Sequence, residues 1–410
     1  MTYPKKKALE KTDIIQYTVF IDLYGDGRKG ENIMGRIFAR IADFIRESDK
    51  VLFSLCVFSS LYGCVAVFSA THYLTSNMRP VIVQALSLMI GIVAAMVVSA
   101  FDFETFTKYW YVAAAVGVIP VVLTFFFGFA PEGTDDKAWL DLGITTFQPS
   151  ELMKICFIIT FSTHLSAVKD KINHIKYLIP VCLHGAFPVL LIHFQGDDGT
   201  ALVFAFMVLC MLCAAGVSWK YFLAAFGALV VLSPLVFFFI MDEKQQMRII
   251  NLFNIEADIQ GGTYQQFRGR MALANGGFSG QGLFGGTLTK VGGVPEGQND
   301  FIFVSIGEEL GFLGCLSVLI LLAAICLRAV RIARICVKDS GKLICVGFFG
   351  MIFAQIIINI GMCIALMPVI GVTLPFFSAG GTSLLCMYLG VGLVLSVYMH
   401  RNSRTLYIHD

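Results

Sequence analysis

Asp300 stands where a long polar stretch, residues 242–299, gives way to the apolar run Phe301-Ile-Phe-Val-Ser-Ile-Gly-Glu-Glu-Leu-Gly311. An ionisable group at the lip of a membrane span is expensive to keep unless something uses it, so Asp300 is the first candidate for chemistry. The alternative role is purely local: Asp300, with Asn299 before it, could cap the helix that follows. Glu308 and Glu309 lie deeper in the same helix, about 80° and 180° around from Asp300, so the three carboxylates do not share one face. One of the glutamates is expected to face the bundle and pair with a basic or hydrogen-bonding group.

Four further clusters carry reactive side chains. Lys154, in Phe147-Gln-Pro-Ser-Glu-Leu-Met-Lys154, lies about one turn inside a span, where an ammonium needs a carboxylate, a phosphate or a route to water. An i,i+3 pair with Glu151 combined with snorkelling competes with direct ligand contact. In the turn Gln195-Gly-Asp-Asp-Gly-Thr200, at least one of Asp197 and Asp198 is suited to cap the next helix, with substrate or metal contact as the alternative. Gly276-Gly-Phe-Ser-Gly-Gln-Gly-Leu-Phe-Gly-Gly286, following Arg268 and Arg270, can offer backbone N–H groups and guanidinium forks to a pyrophosphate, or act as a lid with no phosphate duty. Prolines and paired glycines interrupt the apolar pattern across Met367-Pro-Val-Ile-Gly-Val-Thr-Leu-Pro375 and Ser378-Ala-Gly-Gly-Thr-Ser383, predicting a broken or re-entrant segment that lines a cavity.

The elements that position these residues follow from composition. With 57% hydrophobic and only 14% charged residues, the chain holds more apolar surface than a soluble domain can bury. A polytopic, all-α integral membrane protein is expected. Spans of about 20 residues fall near 51–72, 80–101, 109–130, 149–168, 177–194, 199–216, 221–241, 300–327, 343–367 and 376–398, which makes about ten transmembrane helices. The large loop 242–299 joins helices seven and eight. The four short loops on one side hold only Arg79 and Lys137, whereas the N-terminal tail and the opposite loops are rich in Lys and Arg. The positive-inside rule then puts both termini in the cytoplasm and the loop 242–299 outside, together with every cluster named above.

The expected organisation is a cytoplasmic tail, 1–50, a membrane domain, 51–400, and a second tail, 401–410. Within the first tail, Met34, Ile37, Phe38, Ile41, Phe44 and Ile45 recur at helical spacing with arginines between them. An amphipathic helix over 34–46 is predicted, lying on the inner leaflet or on the protein's own cytoplasmic face. The net charge of +2 and the scattered basic blocks give no argument for nucleic acid. Nearly all of the twelve cysteines fall within spans and none in the large loop, so no outer disulfide is expected; Cys210 and Cys213 have C-x-x-C spacing but sit mid-helix without a second pair. His164, His184 and His193 lack ligand spacing and are expected to pack between helices or at the interface.

Phe147-Gln-Pro-Ser-Glu151, Asp300-Phe-Ile-Phe303 with Glu308-Glu-Leu-Gly311, Asn359-Ile-Gly-Met362, and Pro368-Val-Ile-Gly-Val-Thr-Leu-Pro375 with Ser378-Ala-Gly-Gly-Thr382 together resemble the SEDS family (shape, elongation, division and sporulation), whose members include RodA and FtsW. The resemblance covers about residues 51–400, and the Trp-Leu-Asp-Leu-Gly143 wording leans towards RodA.

The resemblance implies a peptidoglycan glycosyltransferase of the bacterial plasma membrane that polymerises lipid II at the outer face. Such proteins work with a class B penicillin-binding protein, a transpeptidase, within the elongation or division machinery. A lipid II flippase and a non-catalytic scaffold for the penicillin-binding protein are the alternatives. The family's essential aspartate falls on Asp300, its loop lysine and tryptophan on Lys137 and Trp139, and the lysine closing Gln-Pro-Ser-Glu on Lys154. Its Gln-Pro-Asp-x-Gly-Thr turn falls on Gln195, Asp197, Gly199 and Thr200. Asp300 would serve as base in an inverting transfer that expels a polyprenyl pyrophosphate. Lys137, Lys154, Arg268 or Arg270 would stabilise the leaving group, with Trp139, Asp197, Glu308 and Ser378 as further substrate contacts. The sequence establishes no cofactor; a divalent cation such as Mg or Mn could share the pyrophosphate charge, without a visible ligand set. The chain departs from the family where His-Thr before the aspartate becomes Gln298-Asn299, where Gln-Ser becomes Arg268-Gly269, and where Ser-Tyr-Gly-Gly-Ser becomes Ser378-Ala-Gly-Gly-Thr382. Altered acceptor contacts or a different partner are expected from these changes.

Overall fold

The computed structural model describes residues 44–72, 78–130, 136–141, 143, 146–253 and 261–401. It separates into a unit of residues 1–46 and a unit of residues 47–410. The expected amphipathic helix 34–46 lies outside the described residues apart from its last three, and the expected C-terminal tail does so apart from Arg401.

The larger unit is helical. In chain order it comprises α1 (Lys50–His72), α2 (Arg79–Ser99), α3 (Phe103–Lys108), α4 (Trp110–Phe127), α5 (Pro149–Val168), α6 (Ile175–His193), α7 (Asp198–Ala214) and α8 (Trp219–Phe239). There follow α9 (Glu243–Phe253), α10 (Tyr264–Gly276), α11 (Thr287–Lys290), α12 (Ile302–Ile335), α13 (Asp339–Cys363) and α14 (Gly381–Met399). Among the described residues, nine helices are long and apolar enough to cross a membrane. The further span expected over 199–216 is α7, an apolar helix of 17 residues. The expected loop 242–299 carries three helices within it, α9, α10 and α11.

The core sits among α5, α7, α12, α13 and α14, where Ile158, Phe161, Phe204, Val318, Phe348, Val391 and Val394 are all buried. In contrast, α8 is apolar all round and buries none of its residues, so its whole surface suits lipid. Local rules set the helix starts. Pro149 occupies the first turn of α5, where its missing N–H costs nothing. Asp49 accepts from the Leu52 amide at 2.8 Å, capping α1, and also takes a two-pronged pair from Arg328 at 2.6 and 2.9 Å. That pair ties α1 to α12, which runs to Ile335 rather than ending near 327.

One break in this helical order positions the site. α12 is interrupted at Gly311 (φ 65°), a left-handed backbone that favours glycine. A broken helix leaves carbonyls and amides without partners at membrane depth, which is tolerated only where other protein groups satisfy them. The glycine-rich segment supplies those partners. Gln281 and Gly282 donate to the carbonyls of Glu308 and Glu309 at 3.1 and 2.9 Å, while Phe312 and Leu313 donate to the carbonyls of Gly277 and Phe278 at 2.9 and 3.3 Å. A Cβ at Gly276 would sit 1.9 Å from the Gly307 carbonyl oxygen, so only glycine lets α10 approach α12 this closely. Part of the 276–286 backbone, two amides and two carbonyls, is thus spent on closing the break in α12.

Between α13 and α14 the chain is irregular over 364–380; its first part is open, with Leu366 71% exposed, and its second part is buried, with Leu374, Phe376 and Phe377 each 2% exposed or less. This agrees with the predicted broken segment. A small hairpin, β1 (Leu140–Asp141) antiparallel to β2 (Thr146–Phe147), adds the described strands to an otherwise helical fold.

Candidate active site

Asp300 sits one residue before Phe301, the residue that caps α12, and no side chain caps that helix. The capping role considered for Asp300 is therefore not the one the chain uses. Its carboxylate is partly exposed and makes no hydrogen bond or ion pair with the described residues. Burial raises its pKa to about 7, helped by the negative charges of Glu296 and Asp197. A carboxylate poised near neutrality, with no competing partner, is suited to accept a proton.

The backbone around Asp300 is as constrained as its side chain is free. Asn359, buried on α13, donates through Nδ2 to the Asp300 carbonyl at 2.8 Å and to the Val372 carbonyl at 2.7 Å. Ser378 Oγ donates to the Asn299 carbonyl at 2.8 Å, and the Ala379 amide donates to the Gln298 carbonyl at 2.9 Å. Gln84, a buried amide on α2, fixes the far side of this clamp by donating to the Ser378 carbonyl at 3.0 Å and accepting from the Gly380 amide at 3.1 Å. On the open side, a Cβ at Gly371 would lie 3.6 Å from Asp300 Oδ2. Sequence reasoning singled out Asn359 without assigning it a role and passed over Gln84. Both are detectable as amides inside apolar runs, Asn359 sharing its run with Gln355.

Asp197 is the second carboxylate. Its side chain caps α7 by accepting from the Thr200 amide at 2.8 Å and also accepts from Gln148 Nε2 at 3.1 Å. Burial raises its pKa, against the lowering effect of the Thr200 hydrogen bonds and of Lys154. Asp198 instead meets His193 Nδ1 at 2.6 Å and Gln245 Nε2 at 3.0 Å. Lys154 is 1% exposed and pairs with Glu151 at 2.8 Å. The i,i+3 pair is therefore correct, the snorkelling is not, and the free ammonium needed for direct pyrophosphate contact is already engaged.

Two other expected substrate contacts have structural employment. Glu308, 0% exposed, accepts from the amides of Leu288 and Thr289, each at 2.8 Å, and from the hydroxyls of Thr287 and Thr289, at 3.2 and 2.6 Å. It thus acts as an internal cap for α11 rather than as a group open to substrate. Glu309 is buried as well and accepts from Ser69 Oγ at 2.6 and 2.7 Å, so both glutamates face protein where only one was expected to. Arg268 donates through Nε to the Gly293 carbonyl at 2.8 Å and holds the loop before Asp300. Arg270 and Lys137 are exposed, without an ion pair among the described residues.

Trp139 is half-buried, and its carbonyl accepts from the Phe129 amide at 3.0 Å, which pins the Lys137–Trp139 strand to the end of α4. Thr382 Oγ1 donates to the Thr146 carbonyl at 3.2 Å, linking that hairpin to the start of α14. Among the described residues, no group of three or more His, Cys, Asp or Glu is placed to hold a metal ion. His164 and His184 stack with their Nδ1 atoms 3.1 Å apart, between helices as expected.

The family model FTSW_RODA_SPOVE, described as cell cycle protein, matches residues 49–403. The chain is 31% identical to the peptidoglycan glycosyltransferase MrdB of Escherichia coli (strain K12) over 353 residues, covering 86% of this chain and 92% of that one. It is 32% identical to the stage V sporulation protein E of Bacillus subtilis (strain 168), covering 77% and 85%. A chain from a peptidoglycan synthase complex that coordinates polymerization and crosslinking superposes with a TM-score of 0.77 at 26% identity, covering 87% of this chain and 99% of that one. The rod shape determining protein RodA of Thermus thermophilus superposes with a TM-score of 0.65 at 26% identity, covering 87% and 98%.

Proposed function

The chain belongs to the FtsW, RodA and SpoVE family of cell cycle proteins, and from that premise we propose that it polymerises lipid II into glycan strands at the outer face of the plasma membrane. It is a multi-pass membrane protein and a peptidoglycan glycosyltransferase. The observation that carries the mechanism is the contrast at Asp300, whose backbone is clamped while its carboxylate is free and poised near neutrality.

In the reaction, a sugar hydroxyl of one lipid-linked disaccharide attacks the anomeric carbon of another. Asp300 takes the hydroxyl proton as the new glycosidic bond forms, and the polyprenyl pyrophosphate departs with the electrons of the bond that breaks. A base within hydrogen-bond reach of a lipid-anchored headgroup belongs at the mouth of a span, where Asp300 lies. The exposed cations Lys137 and Arg270 are free to meet the departing pyrophosphate, whereas Lys154 acts through Glu151 and Asp197 rather than by contact. Any divalent cation would share the pyrophosphate's charge as part of the substrate, since the described residues offer no ligand set to hold it. A class B penicillin-binding protein is the expected partner, consistent with the crosslinking function of the matched complex.

The test is reconstitution with that partner, its transpeptidase blocked and its own lack of polymerase activity confirmed. Glycan from the wild type and none from Asp300→Asn supports the proposal. Equal polymer from both removes Asp300 from the base role. No polymer from either, with the complex intact, favours the flippase and scaffold alternatives.

A further inference from the structure

A cavity of about 430 Å³ lies outside the immediate surroundings of Asp300, between α9, the start of α10, Pro295 and Val369. Arg248 and Asn251, three residues apart on α9, share the face that lines it, with Tyr264 and Gln265 of α10 opposite. Asn251 is only 7% exposed, yet its side-chain amide has no partner among the described residues. The side chains of Arg248, Tyr264 and Gln265 have none either. A buried polar group without a partner costs stability. Asn251 is the buried member, Arg248 and Tyr264 being exposed and Gln265 half-buried, and all four line one space. Their donors and acceptors are available to something that enters it.

We infer that this cavity is a glycan subsite, which holds an N-acetylated amino-sugar unit of the growing strand away from the bond being formed. The inference rests on the polymerase function proposed above. Two amides, a phenol and one guanidinium match the hydroxyl and acetamido groups of a neutral sugar, and Tyr264 offers a ring face beside them. A pyrophosphate would call for more than one cation. The volume lies within the range of small-ligand sites, about 300–1,000 Å³.

The location suits a strand that extends from the reacting centre. Pro295 precedes Glu296, whose charge acts on Asp300, and Val369 lies two residues before Gly371, which borders the Asp300 carboxylate. Two residues span at most about 7 Å. Gln266 Nε2 donates to the Met367 carbonyl at 2.7 Å, so the α10 wall is fixed to the same irregular segment that frames Asp300. A strand retained here between additions would make synthesis processive.

The experiment compares full-length wild type, Asn251→Ala and Tyr264→Phe with the partner, reading strand length and lipid II consumption together. Asn251→Ala is expected to shorten the strands several-fold and to lower consumption by less. In a second measurement a soluble tetrasaccharide of the glycan, without stem peptides, is titrated into each full-length protein. Loss of one hydrogen bond should weaken its binding about three- to tenfold, with Tyr264→Phe giving the result should Asn251→Ala fail to fold. Unchanged length and unchanged probe binding in a polymerising system overturn the subsite, as does equally tight displacement of the probe by inorganic pyrophosphate. A wild type that makes no polymer would overturn the polymerase function; probe binding lost on Asn251→Ala would still uphold glycan binding in the cavity, and its retention would overturn that too.

Discussion

Asp300 should impose a pH profile that an ordinary aspartate cannot. An aspartate near 3.8 would be ionised throughout the accessible range, whereas one at about 7 titrates within it. For a base that acts when ionised, roughly one-tenth is competent at pH 6 and nine-tenths at pH 8, so kcat/KM should rise about tenfold between them. Displacement from 3.8 to about 7 corresponds to about 4 kcal/mol against the charged form, and partial exposure of the side chain reduces this to roughly 2 kcal/mol. The native state binds more protons than the unfolded state between these values, so this contribution to stability is full below pH 3.8 and is lost as pH rises through 7. Asp300→Asn removes that loss. The variant should therefore unfold at a higher temperature than wild type, by a margin that grows from pH 5 to pH 8, while its polymerisation falls about 10²- to 10⁴-fold. The assay is initial lipid II consumption against pH, paired with thermal unfolding in detergent. A flat rate from pH 5.5 to 8.5, or a rate that falls through 7, would refute the assignment of a neutral-range base. Glu296→Gln should move the midpoint to lower pH, because the second-largest cause of the raised pKa is the Glu296 charge.

Asn359→Ala leaves the carbonyls of Asp300 and Val372 without their shared donor. It should cost about 1–3 kcal/mol in thermal unfolding and depress polymerisation more than binding of lipid II, and an active, stable variant would contradict the clamp. Glu308→Ala strips α11 of its four donors' acceptor and should expose the 277–290 segment to limited proteolysis. Glu308→Gln, which keeps an acceptor oxygen, should lose less; equal protection of all three proteins would show that the cap is dispensable. Lys154→Met leaves Glu151, one of whose oxygens already lacks a partner, buried beside an apolar chain, at a cost of about 3–5 kcal/mol. Adding Glu151→Gln should recover most of that loss, and full activity in the double variant would establish a structural role for the pair.

The sequence displayed the apolar spans, because lipid imposes a length and a composition that no other environment does. It also displayed the interruption at 367–383, where Pro368, Pro375 and paired glycines cannot continue a helix. Asp300 was legible for the same reason, as a charge at the end of an apolar run. The helices α10 and α11 were not, because a 58-residue polar stretch read as loop hides short elements whose packing, rather than their own periodicity, defines them, whereas α9 is amphipathic and its helical period was there to be read. The fate of Glu308 was equally hidden. Helical angles place it away from Asp300, but only the fold brings the amides of Leu288 and Thr289 to it. Lys154 shows the limit most directly, since spacing suggested the Glu151 pair and burial alone decided against snorkelling.

The departure at Gln298-Asn299 acquires a physical account from the clamp. Three successive carbonyls, of Gln298, Asn299 and Asp300, accept from the Ala379 amide, Ser378 Oγ and Asn359 Nδ2. Each contact uses backbone on the Asp300 side, so the side chains at 298 and 299 can change without moving the aspartate. The Ala379 contact likewise uses only an amide, so the missing tyrosine at that position does not loosen the clamp. What the side chains do alter is charge. Asn299 Nδ2 donates to Glu296 Oε2 at 2.6 Å, orienting the carboxylate whose field raises the pKa of Asp300. A base held by its backbone, with its proton affinity set by a separately held neighbour, allows the substrate contacts around it to diverge while the position of the reacting carboxylate is kept.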